Sequence, residues 1–358
     1  RRLGFGLAIL LVVAAYGGGW DGERIWDDHL LLDGNPVISG RQPWTQAFGE
    51  PFVPFDLYYR PVTVLVLRGL EAFPGTGTWP FHVASWLLHL ACGAGIYALA
   101  RRSTATPAAA AGASLLFLVH PAMVEAVAWI SGIGDLLAAV FMLVSGLLWL
   151  DAARPGKDQG TRLRRLVFAS LFGLAALFSK ETALALPFLM ILAWIAGSRS
   201  VPARVLLLAP LVLLAVYAAA RWMVLPEGLG DLQDGVQLTR DGTPLSAMEQ
   251  WRLKAGLLTR YVGHALLPVR TQAHPIIDLP GSWWSPVCWG GVAAFVALGI
   301  WIRRARVSCR HYLLPLAWFA ITLVPAALLQ SRGRDLFAER YLYIPLCGLA
   351  PLLAVLAR

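Results

Sequence analysis

Residues 3–19 read LGFGLAILLVVAAYGGG, an apolar run without a charged side chain, and Trp26-Asp27-Asp28-His29 and Asn35-Pro36 follow shortly after it. The run is close to the roughly 20 residues that a helix needs to cross the hydrocarbon core. Two adjacent carboxylates therefore lie where the chain has just left a membrane. A solvated carboxylate near lipid head groups suits a general base acting on a molecule that the bilayer delivers.

The composition agrees with a membrane protein. Hydrophobic residues make up 58% of the 358 residues and charged residues 14%, with a mean hydropathy of +0.62, whereas soluble domains have roughly 25% charged residues. The four cysteines have no paired spacing, which indicates neither disulfides nor a thiolate metal site. The chain starts at Arg1 and stops at Arg358 directly after an apolar run, so both ends look truncated.

Further apolar runs predict an all-α polytopic transmembrane bundle, a single domain over residues 1–358 with about ten spans. The predicted spans are residues 3–19, 81–100, 108–129, 136–150, 166–178, 182–196, 205–224, 287–302, 313–329 and 341–356. Two long polar stretches, at about 20–80 and about 225–283, lie outside them, although residues 253–267 could dip into the membrane. Within the first stretch, residues 59–73 predict a short amphipathic helix at the interface.

The charges orient this arrangement. Four loops on one side hold 13 Lys or Arg against only Asp151 and Asp158. By the positive-inside rule these loops are cytoplasmic and both long polar stretches face outward. The net charge of +9 therefore indicates topology and not a nucleic-acid partner. Basic residues are nearly all Arg, which fits a GC-rich bacterial genome and predicts an inner-membrane protein whose outer face is periplasmic.

Polar motifs recur at the outer ends of the predicted helices. A charge within a span costs on the order of 2.5–3.5 kcal/mol, so several at one level need a shared purpose or shared partners. We expect them to outline one polar cavity that opens outward. Besides Asp27-Asp28 they are Tyr59-Arg60-Pro61, Phe81-His82, His120-Pro121 with Glu125, Gly134-Asp135, Ser179-Lys180-Glu181, Arg221 and Glu339-Arg340-Tyr341-Leu342-Tyr343.

In this order, and together with Asn35-Pro36, His89 and Ala338, these motifs resemble the transmembrane part of the TMTC family. That family consists of polyprenol-phosphate-sugar-dependent O-mannosyltransferases on the GT-C glycosyltransferase fold. The resemblance covers essentially the whole chain. This chain has Ser85 where the family usually has Asn, and Ile133-Gly134 where an Arg usually precedes the Asp. The family's tetratricopeptide repeats, which follow the membrane part, are not in this sequence.

The resemblance implies a glycosyltransferase that moves a hexose such as mannose from a polyprenyl-phosphate donor to a hydroxyl of a protein, glycan or lipid acceptor. It points to the acidic pair as the base, with Asp27 preferred over Asp28. Two adjacent carboxylates also resist ionising together. The alternative is that one of them caps the helix starting near His29.

Cations must stabilise the charge that grows on the departing lipid phosphate. The candidates are Arg60, Lys180, Arg221 and Arg340, since Arg binds phosphate bidentately and Lys binds it as a point charge. Three of them have structural alternatives. Lys180 could pair with Glu181, Arg340 could pair with Glu339, and Arg60 could anchor the interface beside Tyr58 and Tyr59.

The remaining candidates line the cavity. Trp26 could stack on a sugar ring, whereas a lone intramembrane His is more often a hydrogen-bonded packing residue, and Glu125 and Asp135 could pair with Arg or Lys across helices. Asp27, Asp28, His29 and Asp33 offer ligands for a divalent cation such as Mg²⁺ or Mn²⁺, without fixed spacing to further ligands. The cavity residues are Trp26, His82, His89, Glu125, Asp135, Glu181, Glu339 and Tyr343.

Two other classes of function stay open on the sequence. A membrane transporter would use the intramembrane charges as a substrate pathway, but it would usually show repeated halves and broken helices near the midplane, which this sequence lacks. A scaffold without activity would only bind a lipid-linked sugar.

Overall fold

A computed structural model describes residues 2–53, 58–73, 77–103, 106–154, 156, 158–196, 203–225, 245–268, 280–304, 309–328 and 337–356. These residues form helices and turns and contain no β-strand, so the all-α prediction is confirmed. The α-helices are α1 Arg2–Tyr16, α2 Pro61–Glu71, α3 Trp79–Ser103, α4 Pro107–Leu118, α5 Val124–Ala128, α6 Ile133–Ala152, α7 Gln159–Leu177, α8 Ala185–Ala196, α9 Ala203–Val224, α10 Ala247–Leu266, α11 Pro286–Arg304, α12 Cys309–Leu328 and α13 Tyr343–Leu356.

Each of the ten predicted spans overlaps at least one of these helices. Among the described residues, Trp79–Arg102 and Ile130–Ala152 are long and apolar enough to cross a bilayer individually. A third span exists if Pro107–Leu118 and Pro121–Ala128, which are bent by 53° relative to each other, count as one. Five further apolar helices are shorter. The chain is an integral membrane protein by its apolar helices, and the number of about ten spans stays a prediction.

Local sequence explains where several helices begin and break. Thr106 caps α4 by accepting the N–H of Ala109 at 3.3 Å, and Pro107 occupies the first helical position, where an N–H is not needed. Asp158 caps α7 by accepting the N–H of Thr161 at 2.8 Å. Pro121 cannot continue the helical hydrogen bonds of α4, so the predicted third span is bent at His120-Pro121.

The helices pack into a bundle around α3, α6 and α13, which contact one another. Helix α4 covers α3 and α13, α7 runs along α6, α12 packs on α13 and α8, and α10 pairs with α11. Large side chains fill this core, including Trp149 and Tyr343, which are at most 1% exposed. The indole N–H of Trp149 donates to the Met190 carbonyl at 3.2 Å, so burying this ring leaves no orphaned donor.

The first polar stretch is folded onto the bundle. Its apolar residues Leu31, Val37 and Phe52 are buried together with Leu67 of α2 and Phe81 of α3, forming a second, smaller core. The predicted amphipathic helix is confirmed as α2. Burial of apolar surface therefore holds this stretch, with its acidic pair, against the ends of α3 and α6.

The second polar stretch contains α10, which begins earlier than the 253–267 segment predicted from hydropathy. Ser246 accepts the N–H of Glu249, and the Glu249 carboxylate accepts the N–H of Ser246, which makes a capping box at the start of the helix. Helix α10 packs on α11, α12 and the turn Glu339–Leu342. Residues 226–244 and 269–279 of this stretch lie outside the described residues.

Candidate functional site

The acidic pair divides into one exposed and one buried carboxylate. Asp27 is exposed, and no hydrogen bond or ion pair joins its side chain to the residues that the structure describes. Asp28 is 1% exposed. Trp26, just before the pair, has a φ of 49°, a left-handed conformation that is uncommon for a bulky residue. Such strain is found where surrounding structure fixes the backbone, often at functional sites.

Hydrogen bonds hold Asp28 in place. Its carboxylate accepts the backbone N–H of Ile25 at 3.1 Å, and from Ser131 both the backbone N–H at 2.9 Å and the hydroxyl at 2.5 Å. Burial raises the pKa of Asp28; the hydrogen bonds from Ser131 and Ile25 oppose this rise and the neighbouring Asp27 charge adds to it. These contacts fix the first polar stretch to the turn that precedes α6.

The prediction that one Asp caps the helix near His29 is wrong. Residues His29–Asp33 form a short π-type turn, and the Asp28 side chain makes no capping hydrogen bond to it. Asp28 is occupied with Ser131 instead, on an element 103 residues away. The turn around Ser131 is tight, because a Cβ added to Gly132 would lie 2.6 Å from the Ala126 carbonyl oxygen.

Arg60, Lys180 and Arg340 each form an ion pair with an acid on a different element. The Arg60 Nε and Nη2 atoms lie 2.9 and 2.7 Å from Glu181 Oε2. Lys180 Nζ lies 2.5 Å from an Asp135 oxygen, with both residues buried.

Arg340 binds Glu125 through its guanidinium and donates its backbone N–H to the other Glu125 oxygen at 3.0 Å. The expectations that Lys180 pairs with Glu181 and Arg340 with Glu339 are wrong, because each adjacent acid faces a different partner. The expectation that Glu125 and Asp135 each pair with a basic residue on another element is confirmed.

Aromatic rings join two of these cations, Arg340 and Lys180, into one layer. The Arg340 guanidinium lies 4.8 Å from the Trp129 ring centroid and 5.0 Å from that of Tyr341. Lys180 Nζ lies 5.3 Å from the same Tyr341 ring. The layer also reaches Trp26, the residue before the acidic pair, because Trp129 packs edge-to-face against Trp26 with centroids 5.7 Å apart. Cation–π contacts of this kind stabilise positive charge where water is excluded.

Both paired arginines keep their charge. Burial alone would lower the pKa of Arg60, but the negative charge and hydrogen bonds of Glu181 outweigh it, so this pKa is raised. The pKa of Arg340 is raised in the same way, because the effects of Tyr341 and Glu125 outweigh its burial. Arg60 also stacks over Tyr58 at 4.3 Å, the residue expected to accompany it at an interface.

Arg221 is the fourth candidate cation. It is near the end of α9, within electrostatic reach of the Tyr217 hydroxyl, and the same hydroxyl is within reach of Glu181 and Arg60. Arg221 and the Arg60–Glu181 pair therefore both lie near the Tyr217 hydroxyl. All four candidate cations belong to one polar region built from the ends of several helices.

The two histidines of α3 are both buried, and they differ in their hydrogen bonds. His89 lies 2.8 Å from the Tyr343 hydroxyl through Nδ1 and 3.1 Å from the Leu118 carbonyl through Nε2. It packs in the core, as does Tyr343. His82 lies beside the first polar stretch, and its Nε2 atom is buried without a hydrogen-bond partner in the described part of the chain.

Sequence reasoning missed the contribution of α10. His264 Nδ1 lies 3.0 Å from Glu339 Oε1, and the Tyr261 hydroxyl accepts the N–H of Ala338 at 3.3 Å. Tyr261 also stacks on Phe337 with centroids 4.5 Å apart. These contacts hold the turn that carries Arg340. The signal was present in the sequence as the capping-box pattern Ser246 to Glu249.

The acidic and imidazole side chains near the pair do not converge as a cation site in the described residues. Asp33 binds Arg24 and lies 3.2 Å from His29, while Asp28 is turned toward Ser131. No group of three or more His, Cys, Asp or Glu side chains among those residues is arranged to hold a metal ion. Of the ligand set considered for Mg²⁺ or Mn²⁺, Asp28 is thus bound to Ser131 and Asp33 to Arg24.

Apolar helices that gather ion-paired residues and one exposed carboxylate at their ends define an integral membrane protein with a polar site. Over 189 residues the chain is 33% identical to protein O-mannosyl-transferase Tmtc2 of Drosophila melanogaster, covering 50% of this chain and 20% of the relative. It is 30% identical over 195 residues to human TMTC4, covering 48% and 26%. It is 29% identical over 152 residues to F38B6.6 of Caenorhabditis elegans, a protein O-mannosyl-transferase by name, covering 40% of this chain and 22% of the relative.

The chain is therefore TMTC-like over up to half of its length, and the resemblance expected from its motifs is confirmed for that part and not for essentially the whole chain. It spans about a fifth to a quarter of the length of these curated relatives. No family model matches the chain, and no solved structure matches it.

Proposed function

We propose that the chain is the membrane part of a GT-C type glycosyltransferase. It moves a hexose from a polyprenyl-phosphate donor to an acceptor hydroxyl on the outer face, which is periplasmic for a bacterial inner-membrane protein. The names of the relatives favour mannose as the sugar and a protein as the acceptor. The proposal also includes about ten membrane spans, with both long polar stretches on the outer side of the membrane.

The observation that carries the proposal is the difference in exposure and hydrogen bonding between the two carboxylates of the acidic pair. Asp28 is buried and its oxygens are occupied by Ser131 and Ile25, so it is suited to positioning. Asp27 is exposed and has no partner among the described residues, which leaves its carboxylate available as a base. Asp27 is therefore assigned as the base and Asp28 as a positioning residue, in agreement with the preference for Asp27 that the resemblance to the family implied.

In the proposed reaction, the Asp27 carboxylate takes the proton of the acceptor hydroxyl. The hydroxyl oxygen forms a bond to the anomeric carbon of the sugar, and the bond from that carbon to the phosphate oxygen breaks. The electron pair leaves with the polyprenyl phosphate. Arg60, Lys180 and Arg340 stabilise its growing charge, and Trp26 offers a ring beside the base for the sugar.

The donor phosphate must share these cations with the carboxylates that already neutralise them. A buried cation without a partner would be costly, so Asp135, Glu125 and Glu181 keep the cations charged while the donor is absent. Arg has several donors in a planar fork, so Arg60 and Arg340 can hold a carboxylate and a phosphate oxygen together.

The test is sugar transfer by the purified chain in lipid, with a panel of radiolabelled polyprenyl-phosphate sugars and hydroxyl acceptors. Wild type is compared with Asp27→Asn and with the matched control Glu23→Gln, an exposed acid of the same stretch. We expect Asp27→Asn to lose at least about 100-fold in turnover, the scale of a missing general base, while donor binding and stability are retained. Equal turnover by all three proteins contradicts the assignment of Asp27.

A second candidate is a protein that binds a lipid-linked sugar or transports it without transfer. The complete pairing of Arg60, Lys180 and Arg340 favours it, because a structural role alone would satisfy these charges. This candidate predicts donor binding, or uptake into vesicles, with no sugar transfer for any acceptor of the panel.

A further inference from the structure

Arg260 on α10 is a half-buried cation without an acidic partner among the described residues. Its Nε atom is buried and forms no hydrogen bond within that part of the chain. Arg252, about two turns earlier on the same helix, differs because it lies 3.9 Å from Glu249 and donates to the Gly281 carbonyl at 3.1 Å. A half-buried guanidinium that no carboxylate neutralises attracts an anion.

His264 adds a second polar group on the same side of α10. It follows Arg260 by four residues, so the two side chains are neighbours on the helix surface. The His264 Nδ1 atom lies 3.0 Å from Oε1 of the buried Glu339. A carboxylate only accepts hydrogen bonds, so Nδ1 carries a proton. The Nε2 atom has no partner among the residues that the structure describes, which leaves it available to a ligand.

The Phe337 ring shows that the two groups adjoin. The Arg260 guanidinium carbon lies 5.3 Å from the centroid of this ring, and the centroid of the His264 ring lies 5.0 Å from it. Phe337 is itself 1% exposed and stacks on Tyr261, which fixes its position. A guanidinium group and an imidazole therefore lie side by side against one buried ring.

The hydrogen-bonding capacities of the two side chains indicate the class of ligand. The Arg260 guanidinium only donates, whereas Nε2 of His264 accepts when the imidazole is neutral and donates when it is protonated. A phosphate monoester has a second pKa of about 6, so near neutral pH it presents oxyanions together with a hydroxyl or a further oxyanion. It therefore suits both side chains in either protonation state of His264. A phosphodiester has no hydroxyl, and a carboxylate is already fully bound by one arginine fork.

We propose that Arg260 and His264 bind a phosphate monoester, carried by a lipid or free in solution. The site adjoins the turn that carries Arg340, because Glu339 of that turn holds His264. It does not depend on the proposed glycosyl transfer. The sugar donor of that reaction is a phosphodiester and the polyprenyl phosphate that it releases is a monoester, so only the product belongs to this class of ligand.

Lipid binding to the full purified chain, followed by native mass spectrometry, tests this site. The probes are phosphatidic acid, which is a monoester, and phosphatidylglycerol, which is a diester, with inorganic phosphate as competitor. The variants are Arg260→Gln, His264→Asn and the control Arg252→Gln, which removes the paired arginine of the same helix. Asparagine keeps a donor for Glu339 in place of Nδ1 but has no group in place of Nε2. Thermal unfolding of each variant shows whether it is folded.

We expect wild type to bind phosphatidic acid roughly tenfold more tightly than phosphatidylglycerol, the scale of one hydrogen bond to a charged group. Arg260→Gln should weaken the binding of both lipids by about tenfold or more. His264→Asn should lose the preference for the monoester, and Arg252→Gln should keep it. Competition by inorganic phosphate supports a site for the free anion, and lack of competition supports a site for the lipid.

Three results overturn the proposal. The first is equal affinity of wild type for the two lipids. The second is unchanged binding by Arg260→Gln, or an equal loss in Arg252→Gln, since either means that the lipids are attracted elsewhere. The third is a full preference for the monoester in folded His264→Asn, which restricts His264 to holding Glu339. If Arg260→Gln does not fold, Arg260→Lys takes its place and should also lose affinity, because lysine lacks the planar fork.

Discussion

Ser131 donates both its backbone N–H and its hydroxyl to the same oxygen of Asp28, at 2.9 and 2.5 Å. This contact attaches the first polar stretch to the turn before α6, so that the exposed Asp27 is held beside Trp26 and Trp129. Asp28 and Ser131 are positioning residues in this arrangement, and their substitution is expected to change stability and geometry before it changes chemistry.

The hydroxyl of Ser131 is expected to stabilise the fold through Asp28. Ser131→Ala removes one donor from a buried carboxylate and should cost about 1–3 kcal/mol at neutral pH. A double-mutant cycle with Asp28→Asn, read by thermal unfolding in detergent, measures the coupling. Strictly additive effects of the two substitutions would contradict the contact.

Asp28 is also expected to make stability depend on pH. Its pKa is raised above the ordinary value of 3.8 in the folded protein, mainly by burial. The folded state thus holds the proton more tightly than the unfolded chain, so protonation stabilises the fold. The contribution of Asp28 to the free energy of unfolding is greatest below 3.8 and falls as the pH rises through the raised pKa.

The measurement is the thermal midpoint between about pH 3 and pH 7 for wild type and Asp28→Asn. The difference between the two profiles should show this fall, whereas Glu23→Gln should retain the wild-type profile. Parallel profiles for wild type and Asp28→Asn would mean that the pKa of Asp28 is the same in the folded and unfolded states.

Substitutions in the Lys180–Asp135 pair can distinguish a structural role of Lys180 from a role in binding the donor phosphate. Lys180→Met leaves the buried Asp135 unpaired and should cost about 3–5 kcal/mol. The double variant Lys180→Met/Asp135→Leu should regain most of that stability because no lone charge remains. If Lys180 contacts the donor phosphate, the double variant stays impaired in sugar transfer. Transfer at the wild-type rate by the stable double variant would assign Lys180 to the fold alone.

Tyr343 is expected to act in packing rather than in substrate binding. Tyr343→Phe removes the hydroxyl that lies 2.8 Å from His89 and should cost about 1–3 kcal/mol, because a buried nitrogen loses its partner. Turnover per folded molecule and the KM for the donor should be unchanged. A selective rise in that KM, at unchanged thermal midpoint, would return Tyr343 to the cavity residues named from the sequence.

The helices could be predicted from the sequence because apolar runs and caps are local features. Each predicted span overlaps a helix, and α2 was expected from its amphipathic pattern. Helix α10 was placed too late because its first turn is polar, and hydropathy does not register the capping box of Ser246 and Glu249. The break at Pro121 arises because proline has no backbone N–H to donate, which a count of apolar residues does not register.

The partners within the site could not be predicted in the same way. Lys180 and Glu181 are adjacent in sequence, and so are Glu339 and Arg340, which suggested pairing with the neighbour. Successive residues in these turns point in different directions, so each charge finds a partner on another element. The contact of Asp28 with Ser131 joins residues 103 positions apart, and no local pattern indicates it.

The separation of paired charges along the chain has a consequence for biosynthesis. Asp135 and its partner Lys180 are 45 residues apart in the sequence, whereas Glu125 and its partner Arg340 are 215 residues apart. A ribosome makes the chain from its N-terminus, so Glu125 is in place long before its partner exists. An unpaired charge at a membrane is costly, so the Glu125 carboxylate reaches its final electrostatic balance only after Arg340 has been made.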